Sequence, residues 1–86
     1  MKISVLLFAA AREIAGCESL AVEVSGSATN GAATISDLRA GLLQVEPRLA
    51  GISRSLLWAV NNEYANDNRL VSAGDSVACF PPVSGG

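Results

Sequence analysis

Apolar residues recur along this chain in two rhythms, and the alternation between them marks out its predicted elements. From Lys2 to Phe8 both parities are apolar, with Ile3, Val5 and Leu7 on one side and Leu6 and Phe8 on the other. This is the pattern of a strand central in a sheet. Ala9 to Ala15 suits a short helix closed by Gly16, a residue that adopts the left-handed cap conformation without a Cβ penalty. Leu20, Val22 and Val24 then alternate with Ala21, Glu23 and Ser25, predicting a strand covered on one face. Ser25 to Ala33 has no period and reads as a loop without a phosphate-binding glycine pattern. At Thr34 the rhythm changes to spacings of three and four. Ile35, Leu38, Leu42, Val45 and Leu49 form a stripe able to lie across a sheet, Thr34 with Asp37 resembles a capping box, and Pro47 ends the helix near Glu46. Gly41 in its interior costs about 1 kcal/mol relative to Ala, which points to close helix-to-sheet packing.

Beyond the helix, Leu56 to Asn61 reads as a strand, and Asn61-Asn62 as a turn ahead of the short segment Glu63-Tyr64-Ala65. Asn66-Asp67-Asn68 turns the chain again, and Ser76 to Phe80 forms a last strand ended by Pro81 and Pro82. One long helix on one face of a mixed sheet of about five strands is an α+β architecture, the ubiquitin-like β-grasp, with first and last strands adjacent. The expected division is a folded unit over residues 1–80 and an extended tail over 81–86. Strand parity sets a further expectation. If Ile3, Val5 and Leu7 face the helix, Phe8 and Phe80 face away, while Val77 and Cys79 face inward. With Tyr64 nearby, these aromatics form an apolar docking patch.

Composition narrows the function classes. A chain of 86 residues holds one small core, so a large substrate pocket must be shared with a partner. Charged residues make up only 16% of the chain, against about 25% in ordinary soluble domains, consistent with an exposed docking face. The net charge of −2, without basic runs, argues against nucleic acid. The apolar N-terminal run is too short to span a bilayer and lacks a signal-peptide layout, so a cytoplasmic protein with no membrane partner is expected. There is no histidine, and Cys17 and Cys79 lack metal-binding spacing, which excludes the usual zinc constellations. Cys79 reads as a buried small hydrophobe and Cys17 as an exposed turn residue. Glu13, Glu18, Glu23 and Asp75 read as solvating carboxylates, and Arg12-Glu13 as a surface ion pair. With neither histidine nor an evident base, the chain is a poor candidate for an enzyme acting alone.

The chemistry lies in the ending Phe80-Pro81-Pro82-Val83-Ser84-Gly85-Gly86. A carboxylate carried on two glycines is the least hindered acyl group a polypeptide presents. The prolines make a stiff arm of the residues that lead to it. At average glycine usage of about 7%, a Gly-Gly ending arises by chance in roughly 0.5% of chains. Such a terminus can be activated with ATP by a partner as an acyl-adenylate and then exchanged for sulfur.

The residues also resemble a known family. Leu7-Phe8-Ala9-Ala10-Ala11-Arg12-Glu13-Ile14-Ala15-Gly16, Ala59-Val60-Asn61-Asn62-Glu63-Tyr64 and the stretch from Gly74 to Gly86 resemble the small, sulfur-carrier subunits of molybdopterin synthase, in the ubiquitin-like MoaD/ThiS family. The resemblance implies that Gly86 is adenylated by an E1-like adenylyltransferase using ATP, then thiocarboxylated by a sulfur donor system. It further implies that Pro81, Pro82, Val83, Ser84 and Gly85 enter the large catalytic subunit, which passes the sulfur to cyclic pyranopterin monophosphate in molybdenum cofactor biosynthesis. No cofactor bound by this chain alone is implied. Three alternatives stay open: a carrier feeding thiazole or another acceptor, a ubiquitin-like protein modifier, and a β-grasp interaction module with an inert tail.

Overall fold

The structure is a computed structural model that describes residues 2–24 and 33–82. Strand β1 (Lys2–Leu7) alternates strictly between exposed and buried residues, placing Ile3, Val5 and Leu7 in the core. Helix α1 (Ala9–Ala15) follows and closes at Gly16, whose φ of 75° permits its N–H to bond the carbonyl of Arg12. The next strand, β2 (Ser19–Glu23), pairs antiparallel with β1, Val5 opposite Leu20. A two-residue strand β3 (Ala33–Thr34) leads directly into α2 (Ile35–Val45), the long helix.

The start of α2 is fixed as the spacing of Thr34 and Asp37 requires. Thr34 Oγ1 accepts from the Asp37 N–H at 3.2 Å, and Asp37 Oδ2 accepts from the Thr34 N–H at 3.0 Å. Ile35, Leu38, Gly41 and Leu42 are buried against the sheet. At Gly41 a Cβ would come within 2.7 Å of Val22 Cγ1 and 3.2 Å of the Glu23 carbonyl oxygen, so the missing side chain is what lets helix and strand approach. After α2 the chain makes two short 3-10 turns, Pro47–Gly51 and Ser53–Ser55.

Strands β4 (Leu57–Val60) and β5 (Glu63–Ala65) form a hairpin across Asn61 and Asn62. Both asparagines have positive φ, 52° and 69°, as a tight two-residue hairpin turn demands. Strand β6 (Leu70–Val71) pairs with β3, and β7 (Val77–Phe80) ends the described core. The main sheet has the order β2-β1-β7-β4-β5, with β1 and β7 parallel at its centre. This is the ubiquitin-like β-grasp arrangement, α+β, with first and last strands adjacent as expected.

Several sequence expectations are corrected. Val45 is 44% exposed rather than part of the buried stripe, because the helix ends there and Leu49, in the first 3-10 turn, fills the core beyond Leu42. Ala33 belongs to a strand, not a loop, and the β3–β6 ladder was not anticipated, since two residues per strand are too few to show a period. The remainder of that expected loop, Ser25 to residue 32, lies outside the described residues. Cys17 is half-buried against the core rather than exposed. Arg12 and Glu13 are exposed, and no ion pair joins them among the described residues.

Candidate functional site

Among the described residues the helices cover one face of the sheet, and the other is open. Register brings small residues into a row across that open face: Leu6 stands opposite Ala78, Ala78 opposite Ala59, and Ala59 opposite Tyr64. The adjacent row places Phe80 opposite Leu57. Phe8 lies one residue past Leu7, the partner of Cys79, and so at the level of Phe80. The two alanines are the floor of a shallow strip between larger apolar side chains. Leu6 is 42% exposed, Phe8 46% and Tyr64 78%. Phe80 is half-buried, its ring centroid 5.9 Å from that of Tyr64 at a tilt of 58°, a favourable aromatic geometry. Polar residues occupy the far end of β1, where Lys2 and Ser4 are exposed. The apolar character therefore concentrates where β1 and β7 end, which is where Pro81 and Pro82 follow.

The structure thus brings together Phe8, Tyr64, Phe80, Pro81 and Pro82, with Pro81 half-buried and Pro82 exposed. Val83, Ser84, Gly85 and Gly86 lie outside the described residues. Sequence reasoning missed Leu6 and Leu57 as members of the patch. The signal was present in the parity of β4, where Leu57 alternates with the buried Trp58, and in that of β1, where Leu6 shares the face of Phe8.

The site's frame is held by polar contacts. Asn61 Oδ1 accepts from the Ser76 N–H at 2.9 Å, and the Asn61 N–H donates to the Ser76 carbonyl at 2.7 Å, which ties the hairpin to the start of β7. Asp75 accepts from the Ser72 N–H and from Asn61 Nδ2. These bonds, that from Ser72 first, hold its carboxyl below the usual range. Asp75 is therefore a turn-organising group, which corrects its reading as merely solvating. Glu13 and Glu18 are exposed, as solvating carboxylates are.

Behind the sheet, Arg39 of α2 donates to the carbonyls of Ser53 and Leu56 and to Asp67 Oδ1, and its guanidinium carbon lies 5.9 Å from the Trp58 ring centroid. Trp58 is fully buried, and its indole Nε1 has no hydrogen-bond partner among the described residues. Burial pushes the Cys79 thiol up to about 12, so it stays protonated near neutrality and is no nucleophile. Among the described residues no cluster of histidine, cysteine or carboxylate side chains is fit to hold a metal, and no helix is long and apolar enough to cross a membrane. The described residues present an apolar face, with Leu6, Phe8, Leu57 and Tyr64 exposed, beside the point where Pro81 and Pro82 follow β7.

Comparison with known proteins agrees with the fold. The molybdopterin synthase sulfur carrier subunit of Chlamydomonas reinhardtii is 38% identical over 88 residues, covering 100% of both chains. Small archaeal modifier protein 1 of Haloferax volcanii is 38% identical over 84 residues, covering 93% of this chain and 95% of its own. Its crystal structure matches with a TM-score of 0.77 at 30% identity, over 95% of this chain and 98% of that one. The complex of subunits 1 and 2 of the molybdopterin-converting factor from Helicobacter pylori contains a chain matching with a TM-score of 0.66 at 25% identity, over 100% of both chains. Residues 5–86 match the ThiS family, from the middle of β1 through the diglycine, and the chain belongs to that family.

Proposed function

We propose that this chain is the sulfur-carrier small subunit of a molybdopterin synthase, and that Gly86 bears the sulfur. The observation that carries the proposal is the uncovered apolar face formed by Leu6, Phe8, Leu57, Tyr64 and Phe80 around the start of the proline arm. A partner seated on that face receives the tail in a fixed direction, so recognition is separated from chemistry. The body docks, and the tail reacts. The name and full coverage of the algal relative support this reading, as does the complex formed by the Helicobacter pylori relative with a second subunit.

The carboxylate of Gly86 attacks the α-phosphorus of ATP in an E1-like enzyme, forming the acyl-adenylate and releasing pyrophosphate. A hydrosulfide-level sulfur from a donor system then displaces AMP and leaves a thiocarboxylate. In the large subunit that sulfur attacks an oxygen-bearing side-chain carbon of cyclic pyranopterin monophosphate, displacing the oxygen substituent and forming a thioester with Gly86. Water then hydrolyses the thioester at the acyl carbon, leaving the sulfur on the pterin and restoring the carboxylate, and a second thiocarboxylated chain delivers the second sulfur in the same way. Side-chain-free glycines at the reacting end leave room for each partner site to close on the acyl carbon. No group of this chain acts as acid or base in these steps, in keeping with its lack of histidine. The setting proposed for all of this is the cytoplasm.

The test is delivery. Thiocarboxylated chain mixed with the large subunit and cyclic pyranopterin monophosphate should yield the dithiolene product and return ordinary Gly86. A chain that forms no complex with the large subunit yet supplies sulfur to thiazole synthesis belongs to another acceptor pathway. The likeness to a small archaeal modifier protein favours one second reading, attachment of Gly86 to lysines of other proteins. Conjugates of higher mass, formed with ATP and the activating enzyme, would identify it.

A further inference from the structure

Beside the apolar face, between the second 3-10 turn and the β5 edge, lies a groove of about 550 Å³. Arg39, Arg54, Ser55, Leu57, Tyr64 and Asn66 are among the residues that line it. Leu57 and Tyr64 belong also to the docking face, so a partner covering that face necessarily reaches the groove. Its two cations differ in state. Arg39 is bonded to Asp67 at 2.8 Å and to two backbone carbonyls, and its charge is balanced. Arg54 is exposed and makes no ion pair among the described residues, unlike Arg48 with Glu46 and Arg69 with Glu63. An unbalanced positive charge therefore sits at the rim of an apolar surface, on a chain whose net charge is −2.

We propose that this groove is an acidic-residue subsite of the docking surface, in which a carboxylate on a loop of the protein partner meets Arg54 while an apolar neighbour rests on Leu57 and Tyr64. The inference rests on the docking reading above and adds the chemistry of the partner. A free anion fits less well. With Arg39 balanced by Asp67, it would be held by one exposed guanidinium, an interaction worth little in water. A carboxylate carried by a protein already seated on the apolar face arrives at high effective concentration instead. On a chain that otherwise repels acidic surfaces, one such contact fixes orientation and speeds encounter more than it adds affinity.

The experiment measures binding of the full chain to the large subunit at low and high salt, for the parent and for Arg54→Ala, Arg54→Lys, Arg54→Glu and Phe80→Ala. At low salt we expect Arg54→Ala to bind about 3-fold more weakly and Arg54→Glu about 10-fold or more, chiefly through slower association. Arg54→Lys should stay near the parent, and high salt should shrink every difference at this position. Urea midpoints of the Arg54 variants should match the parent, since the side chain is exposed. Parent-like binding by Arg54→Glu, with binding by Phe80→Ala weakened, overturns the subsite and leaves the docking face standing. Parent-like binding by Phe80→Ala, or no complex with the parent chain, overturns the docking reading and the subsite with it. Binding of inorganic phosphate to the isolated chain that disappears in Arg54→Ala assigns the groove to a free anion and overturns the proposal.

Discussion

At position 41 an added methyl group has no room. A Cβ there would stand 2.7 Å from Val22 Cγ1, on a buried and β-branched side chain that has little freedom to yield, with the Glu23 carbonyl oxygen at 3.2 Å. Gly41→Ala gains about 1 kcal/mol of helix propensity and loses about 1 to 3 kcal/mol to overpacking. We expect net destabilisation, read as a lower urea midpoint; a higher midpoint would mean that helix and sheet separate easily. The two thiols differ in the same local way. Burial pushes Cys79 up to about 12 from an ordinary 9.0. In the folded protein a thiol reagent near neutral pH should therefore modify Cys17 and spare Cys79, and in denaturant it should modify both. A raised folded value means that the contribution of Cys79 to stability is complete below about pH 9 and is lost as pH rises toward 12. Equal labelling of both cysteines in the folded state would contradict the assigned burial.

Elements whose signals are local could be read from the chain, and those made by distant contacts could not. The capping box, the glycine cap of α1, the Asn61-Asn62 turn and the inward parity of Val77 and Cys79 each depend on residues a few positions apart. The β3–β6 ladder and the Arg39 contacts instead join residues far apart in sequence, which periodicity does not register. Two tests belong here. Thr34→Ala removes the acceptor for the Asp37 N–H and should cost about 1 kcal/mol by chemical denaturation. Asp75 has a lowered carboxyl pKa, so its contribution is present above its ordinary value of 3.8 and is lost as pH falls through the folded value. The parent should therefore lose stability in acid more steeply than Asp75→Asn. Parallel acid profiles would show that the bonds from Ser72 and Asn61 to the Asp75 carboxylate add nothing to stability.

Over the whole molecule, one face of the sheet builds the core and the other, among the described residues, stays uncovered. Phe8 and Phe80 followed from parity, whereas the extent of the second face, and the place of Tyr64 in it, followed only from the register that sets Leu6, Ala78, Ala59 and Tyr64 in one row. Phe80→Ala should weaken binding to the large subunit by about 2 kcal/mol or more. Its half-buried ring should cost the isolated chain less than the roughly 3 to 5 kcal/mol of a core aromatic. A large stability loss with unchanged binding would return Phe80 to the core. The central claim concerns Gly86, and the most direct measurement of it is the intact mass of the chain after incubation with ATP, its activating enzyme and a sulfur donor, with fragmentation to locate any change. The account predicts an exchange of one oxygen for sulfur, confined to Gly86 and abolished by appending a single residue. An unaltered terminus, under conditions in which a related carrier acquires its thiocarboxylate, would contradict it.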